Sequence, residues 1–179
     1  RLPWLVVLLG LSLCVSTVTG LFENVISHLA IIVSFQSLIL GMSGNVGTQS
    51  LAVTIRVLMD EDLSGRQKWG LIFKEARIGF CNGLMLGLLA FAFIGTYVYV
   101  LKGRPLQYAF SVSACAGVAL MLAMTISSVV GTVVPMFFHK VKVDPAVASG
   151  PLISTVNDFV AVVTYYGLAW VLLIHVLHL

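Results

Sequence analysis

The residue whose chemistry stands out is Asp158, a single carboxylate inside an otherwise apolar segment near the carboxyl end. On a helix that rises about 1.5 Å per residue, Asp158 lies roughly 14 Å beyond Ser149, close to the middle of a hydrocarbon layer about 30 Å thick. An Asp at that depth costs about 2.5–3.5 kcal/mol to insert, and such residues usually face an aqueous path. The sequence therefore predicts that Asp158 lines an ion pathway. The alternative is a hydrogen bond between helices, which is disfavoured because no Lys or Arg occurs at matching depth.

Helical spacing places a small and polar stripe on the same face as Asp158. Ser154 precedes it by one turn, Gly150 by two and Asp144 by about four. Pro151 lacks a backbone donor and disfavours regular helix at Gly150, which leaves carbonyl oxygens for a hydrated cation. Ser154 is thus a candidate ligand beside Asp158, and Gly150 and Pro151 are candidate pathway residues. Asp144 is either a cation site at the mouth or the N-cap of the helix.

A second stripe of the same kind lies in an earlier apolar segment. Gly41, Asn45, Thr48 and Gln49 recur at steps of three and four residues, so they share one helix face. Small residues let helices approach closely, and the amide and hydroxyl groups need polar partners or water inside a membrane. We expect this stripe to line the same pathway, with plain packing contacts as the alternative.

The composition defines the class of protein. Of 179 residues, 59% are hydrophobic and 9% are charged, and the mean hydropathy is +1.05, so the chain is an integral membrane protein. Its length allows five or six spans of about 20 residues each. The net charge of +3 and the absence of a basic run with aromatics argue against nucleic acid as a partner. Three cysteines without metal-binding spacing argue against a zinc site or a disulfide.

Charged, Gly and Pro clusters divide the chain into five apolar segments, with a short turn at 22–28 and a hydrophilic loop at 59–68. The expected fold is therefore an all-α membrane protein with five transmembrane helices, and residues 1–179 are expected to form a single transmembrane domain. The predicted helices cover about 2–22, 29–58, 69–101, 106–138 and 146–179.

The distribution of Lys and Arg predicts the orientation in the cell membrane. When alternate loops are assigned to opposite sides, only Lys102 and Arg104 fall outside, and the amino end is cytoplasmic while the carboxyl end is extracytoplasmic. The residues assigned to the cytoplasmic side are Arg1, Arg56, Arg66, Lys68, Lys74, Arg77, Lys140 and Lys142.

Three stretches carry a family resemblance: RLPW at 1–4, GNVGTQS at 44–50 and DPAVASGPLISTVNDF at 144–159. Together they closely resemble the membrane domain of the MgtE magnesium channels and their eukaryotic solute-carrier relatives. The resemblance implies a homodimer with a pore at the subunit interface, lined by the second and fifth helices. It also implies a central magnesium site made by Asp158, and cytosolic sensor domains, including paired CBS domains, upstream of such a membrane domain.

The chemistry of such a pore follows from the ion. Mg²⁺ prefers octahedral oxygen and keeps its waters, so it needs acceptors set wide apart. A two-fold axis beside the fifth helix would present Asp158 twice, with Ser154 and backbone carbonyls completing the ring. Passive permeation of Mg²⁺ is predicted, with other divalent cations as further candidates.

Several alternatives remain at this point. Sodium-coupled magnesium transport would use the same site, and a non-transporting assembly subunit would not need it. An enzyme is not expected, because an intramembrane aspartyl protease needs two carboxylates at one depth, and only Asp158 lies there.

Overall fold

The computed structural model of the chain describes residues 2–28, 30–60, 64–142, 144 and 150–176. Within these residues the secondary structure is entirely helical. A 3₁₀ turn, Ala30–Ile32, precedes α3, and a π-helical stretch, Ala169–Val176, follows α6. The helices are α1 (Leu2–Leu21), α2 (Glu23–His28), α3 (Val33–Asp60), α4 (Gly65–Val100), α5 (Leu106–Lys140) and α6 (Gly150–Leu168).

Five of the helical segments are long and apolar enough to cross a membrane. They are α1, α3 with its 3₁₀ turn, α4, α5, and α6 with the π-helical residues that continue it. The predicted all-α fold with five spans is confirmed at this level. Large apolar side chains on the outer faces, such as Phe73 and Phe93 of α4, are exposed, as expected of a surface that meets hydrocarbon.

The start of α4 differs from the prediction, which placed residues up to 68 in a loop. The helix begins at Gly65 because Ser64 and Gln67 form a capping box. The Ser64 hydroxyl accepts from the Gln67 amide at 3.4 Å, and the Gln67 side chain accepts from the Ser64 amide at 2.8 Å. Hydropathy alone missed this start, because the first turn of α4 is polar and extends beyond the apolar segment.

The predicted turn at 22–28 was also wrong for most of its length. Only Phe22 is a turn residue, and α2 follows it directly. The Phe22 ring stacks on Tyr166 at 5.8 Å between centroids, and Val25 of α2 is buried. The short helix α2 contacts the 3₁₀ turn Ala30–Ile32 and the π-helical continuation of α6, so tertiary packing holds it in place. The predicted start of the fifth span, which corresponds to α6, at residue 146 lies outside the described residues.

Glycines bring α4 and α5 into backbone contact. Gly79, Gly83 and Gly87 recur every fourth residue, and all three are buried. A Cβ on Gly83 would lie 2.9 Å from the Met121 backbone, and one on Gly87 would lie 2.6 Å from the Gly117 carbonyl oxygen. Such close packing of a GxxxGxxxG row is typical of an interface between helices in lipid.

Helix α3 packs against both α5 and α6. The three helices converge at Gly47: a Cβ on Gly131 of α5 would overlap the Gly47 carbonyl oxygen, and a Cβ on Gly47 would overlap Asn157 of α6. Farther along α6, the Tyr165 hydroxyl donates to the Ile32 carbonyl oxygen at 2.9 Å. These contacts fix the position of α6, and hence of Asp158, relative to α3.

Candidate functional site

Asp158 lies on α6, two turns beyond Gly150, which is roughly 12 Å along a helix that rises about 1.5 Å per residue. Its side chain is half-buried. With the described residues it forms neither an ion pair nor a hydrogen bond, so the structural alternative of a bond between helices is not observed among them. A carboxylate in this position lacks compensation from the described part of its own chain.

The face of α6 that carries Asp158 meets the polar stripe of α3. Ser154 Oγ lies 3.9 Å from the Cβ position of Gly44, and the Cβ position of Gly150 lies 3.8 Å from Thr48 Cγ2. The two stripes identified in the sequence therefore lie on neighbouring helices that touch. Both Ser154 and Gly150 are partly exposed beside this contact.

The hydroxyl of Thr48 is partly occupied by its own helix. It lies within donating distance of the Gly44 carbonyl at 3.1 Å and the Asn45 carbonyl at 2.9 Å. Its proton is thus used locally, while its oxygen keeps lone pairs that can accept from water. Thr48 can therefore contact a hydrated ion only as an acceptor.

An open groove of about 480 Å³ runs between α3 and α4 and is lined by three of the predicted pathway residues. Asn45, Thr48 and Gln49 line it together with Asn82 of α4. Asn45, Gln49 and Asn82 are exposed, as is Gly41, whose Cβ position has open space around it. Amides inside a membrane need water or another protein surface, so lipid is a poor neighbour for this groove.

Asn82 was missed in the sequence because it is a single amide in an apolar run, without a polar residue one turn away in its own segment. The sequence feature that could have identified Asn82 is its position well inside an apolar segment. An isolated amide inside an otherwise apolar segment indicates a buried contact or an aqueous face.

Asn157 was also missed, although it is the neighbour of Asp158. It is fully buried, and neither atom of its amide has a hydrogen-bond partner among the described residues. Its amide packs directly on the backbone of Gly47. A side chain at position 47 would occupy the space that the amide fills. Asn157 thereby holds the buried side of α6 against α3, while Asp158 lies at the edge.

The predicted residues at the start of α6 are less completely described. Pro151 is exposed, and its carbonyl accepts from the Thr155 hydroxyl at 2.9 Å, which occupies one acceptor position near the expected entrance. Asp144 is exposed and lies outside a helix, and residues 145–149 are outside the described residues. Both roles considered for Asp144 remain predictions.

The described residues do not include a group of three or more His, Cys, Asp or Glu side chains close enough to hold a metal ion. Asp158 therefore contributes one carboxylate, with the Ser154 hydroxyl one turn away. Such a set suits a hydrated divalent cation only if further oxygen ligands come from elsewhere.

Comparison with known proteins identifies a family that this chain resembles. The profile of the MgtE family, described as divalent cation transporters, matches residues 36–168. Three relatives carry the name magnesium transporter MgtE. The protein of Bacillus subtilis is 37% identical over 94% of this chain, that of Enterococcus faecalis is 36% identical over 94%, and that of Thermus thermophilus is 32% identical over 97%.

The aligned regions cover 36%, 35% and 36% of those three proteins, so the chain spans about a third of their length. The family match includes both polar stripes, from Gly41 on α3 to Asp158 on α6. The chain belongs to the MgtE family.

Proposed function

We propose that this chain forms the membrane domain of a magnesium transporter in which two copies enclose one pore. The observation that carries the proposal is Asp158, a carboxylate in a membrane-spanning helix that has no partner among the described residues of its own chain. A divalent cation would compensate this charge. The names of the three relatives support Mg²⁺ as the ion.

The need for two copies follows from the number of ligands. Hydrated Mg²⁺ is octahedral, and Asp158 with Ser154 covers only one side of such an ion. A two-fold axis beside α6 would supply the same pair from the opposite side. The exposed amides of Asn45 and Gln49 on the adjoining face of α3 support a wet interface there rather than a lipid surface.

The path along the pore follows the two stripes. Gly41, Asn45, Thr48 and Gln49 of α3 would line it, together with Gly150 of α6. Pro151 belongs to the end where the pore opens, and Asp144 would attract cations at that mouth. Small side chains keep such a path wide enough for an ion that retains water.

The proposed orientation has the amino end in the cytoplasm and the carboxyl end outside, following the excess of Lys and Arg. Two contacts at the α4–α5 turn support an interfacial location of that turn. Lys102 lies over the Tyr97 ring at 5.8 Å, and Arg104 lies over the Tyr108 ring at 5.6 Å. Tyrosines with adjacent cations are typical of the boundary between lipid and water.

Transport is proposed to be passive, with the membrane potential driving the ion inward. The alternative, exchange against sodium, uses the same site and predicts a flux that depends on a sodium gradient. For the whole protein, the family resemblance further implies gating by cytosolic CBS-type sensor domains, which would act on the pore from the cytoplasmic side.

The test is magnesium flux into liposomes that contain the purified protein. Asp158→Asn should lower the flux by more than about tenfold, because removal of one partner of a buried charge contact costs about 2–5 kcal/mol. Glu23→Gln, the same change at an exposed acid, should leave the flux unchanged. Equal fluxes for wild type and Asp158→Asn would disprove the proposed site, and a flux that needs sodium would disprove the passive mechanism.

A further inference from the structure

A second buried acid lies away from the proposed pore, in a cluster that joins three helices. The Ser50 hydroxyl of α3 is 2.9 Å from Glu75 Oε2 of α4 and 2.7 Å from Ser128 Oγ of α5. Ser128 Oγ is also 2.8 Å from the Glu75 backbone carbonyl oxygen. The exposed fractions are 3% for Ser50, 5% for Glu75 and 0% for Ser128, so the cluster is shielded from bulk solvent.

The number of hydrogens available in this cluster determines how many of its three oxygen–oxygen contacts can be hydrogen bonds. Three oxygen–oxygen contacts shorter than 3.0 Å each need a hydrogen, because two lone pairs at that distance repel. Two serine hydroxyls supply only two hydrogens. If Glu75 is ionised, Ser50 donates to its carboxylate and Ser128 donates to its carbonyl. The contact between Ser50 and Ser128 then has no hydrogen.

We propose that Glu75 binds a proton and that this neutral acid closes the hydrogen-bonded chain linking α3, α4 and α5. Glu75 then donates to Ser50, Ser50 donates to Ser128, and Ser128 donates to the Glu75 carbonyl. Each of the three contacts has one hydrogen. The same cluster with an ionised Glu75 lacks one.

The charges around the cluster agree with a neutral acid. Within the described residues, Glu75 forms no ion pair with any basic side chain. Thr54, one turn beyond Ser50, is fully buried and uncharged. An unpaired buried carboxylate is costly, and neutralisation by a proton is the usual outcome. The basic side chains described on the helices that meet here are Arg56 of α3, Arg66, Lys68, Lys74 and Arg77 of α4, and His139 and Lys140 of α5; the other titratable side chains described there, besides Glu75, are Cys81, Tyr97 and Tyr99 of α4 and Tyr108 and Cys115 of α5.

The cluster adjoins the proposed pore helix at a sensitive position. Ser50 follows Gln49 directly on α3, and Ser128 lies one turn before Gly131, which packs on Gly47. The proton at Glu75 therefore stabilises the contact that positions the exposed face of α3. This effect on the pore rests on the proposed function, whereas protonation of Glu75 does not.

The first test is infrared spectroscopy of the purified wild-type protein and of Glu75→Gln at neutral pH. The difference spectrum should contain the carbonyl stretch of a protonated carboxylic acid. Asp158→Asn serves as a reference for the other membrane carboxyl group. A difference spectrum that contains only carboxylate bands of Glu75 would overturn the proposal. This measurement does not involve transport, so its outcome is independent of the pore.

The second test is thermal unfolding of matched variants. Glu75→Gln keeps a donor toward Ser50 and should melt close to wild type, whereas Glu75→Ala and Ser128→Ala should melt lower by at least about 2–4 °C. Ser127→Ala is the control, since the Ser127 hydroxyl has no partner among the described residues, and it should melt like wild type. If Glu75→Gln melts as low as Glu75→Ala, or if sodium stabilises wild type but not Glu75→Gln, the site holds a charge rather than a proton and the proposal fails.

Discussion

At the scale of single residues, Asp158 and Glu75 are two acids in apolar surroundings that differ in their hydrogen-bond partners. The Glu75 carboxyl group contacts the Ser50 hydroxyl, and the Glu75 backbone carbonyl accepts from Ser128, so both partners come from its own chain. Asp158 has no such partner among the described residues and lies at the edge of the bundle. The first arrangement suits a neutral acid, and the second suits an acid that meets an ion from outside the chain.

Gly47 provides a prediction at this scale. Gly47→Ala should lower the free energy of unfolding by about 1–3 kcal/mol, because its methyl group would overlap the Asn157 amide and approach Ile153. Gly70→Ala is the matched control on α4, where a Cβ meets nothing within 4 Å. It should be neutral or stabilising by up to about 1 kcal/mol. Thermal unfolding in detergent measures both, and equal stability of the two variants would contradict the packing described for α3 and α6.

The sequence identified Asp158, Ser154 and the stripe on α3, because depth and helical spacing can be counted along one segment. It missed Asn157, Asn82 and the partners of Glu75. Those residues become significant only through contacts between helices, and spacing within one segment carries no information about which neighbours it meets. The structure supplies that information for Ser50, Glu75 and Ser128, which come from three different helices.

At the scale of helices, the number and type of the spans followed from hydropathy, whereas their ends depended on local hydrogen bonds. α4 begins in a polar turn because of the cap at Ser64, and α2 forms where Val25 is buried against neighbouring elements. Hydropathy windows average over such features. Helix ends and short helices were accordingly the least predictable part of the fold.

Ser64 gives a prediction for one helix. Ser64→Ala should destabilise the first turn of α4 by about 1 kcal/mol, because the helix loses its N-cap acceptor. Hydrogen exchange of the amides at Arg66 and Gln67 should then be faster, while exchange at the buried centre of α4 stays unchanged. Ser64→Asp is the control, since its carboxylate retains the cap and suits the helix dipole. Unchanged exchange in Ser64→Ala would show that the capping box does not hold this end.

At the scale of the whole molecule, the bundle has two kinds of outer surface. One is apolar, including α1, none of whose described residues is buried. The other is the polar groove between α3 and α4, with Asn45, Gln49 and Asn82. Hydrocarbon suits the first surface but not the second, so a second copy of the chain and water are the expected neighbours of the groove.

Cross-linking tests the arrangement of two copies. In a protein whose native cysteines have been replaced, Gln49→Cys should be joined to its counterpart by a short bifunctional thiol reagent and migrate as a covalent dimer. Leu84→Cys is the control, because Leu84 is exposed and lies two residues beyond Asn82, on the side of α4 turned away from the groove; it should stay monomeric. Efficient dimer formation at Leu84→Cys alone would locate the interface away from the groove and contradict the proposed pore.

The most direct measurement is calorimetric titration of Mg²⁺ into the purified wild-type protein and into Asp158→Asn. Wild type should bind one more ion for every two chains than the variant does, because two carboxylates share one hydrated ion. Identical titrations for the two proteins, or a difference of one ion for each chain, would contradict a magnesium site shared between two copies of Asp158.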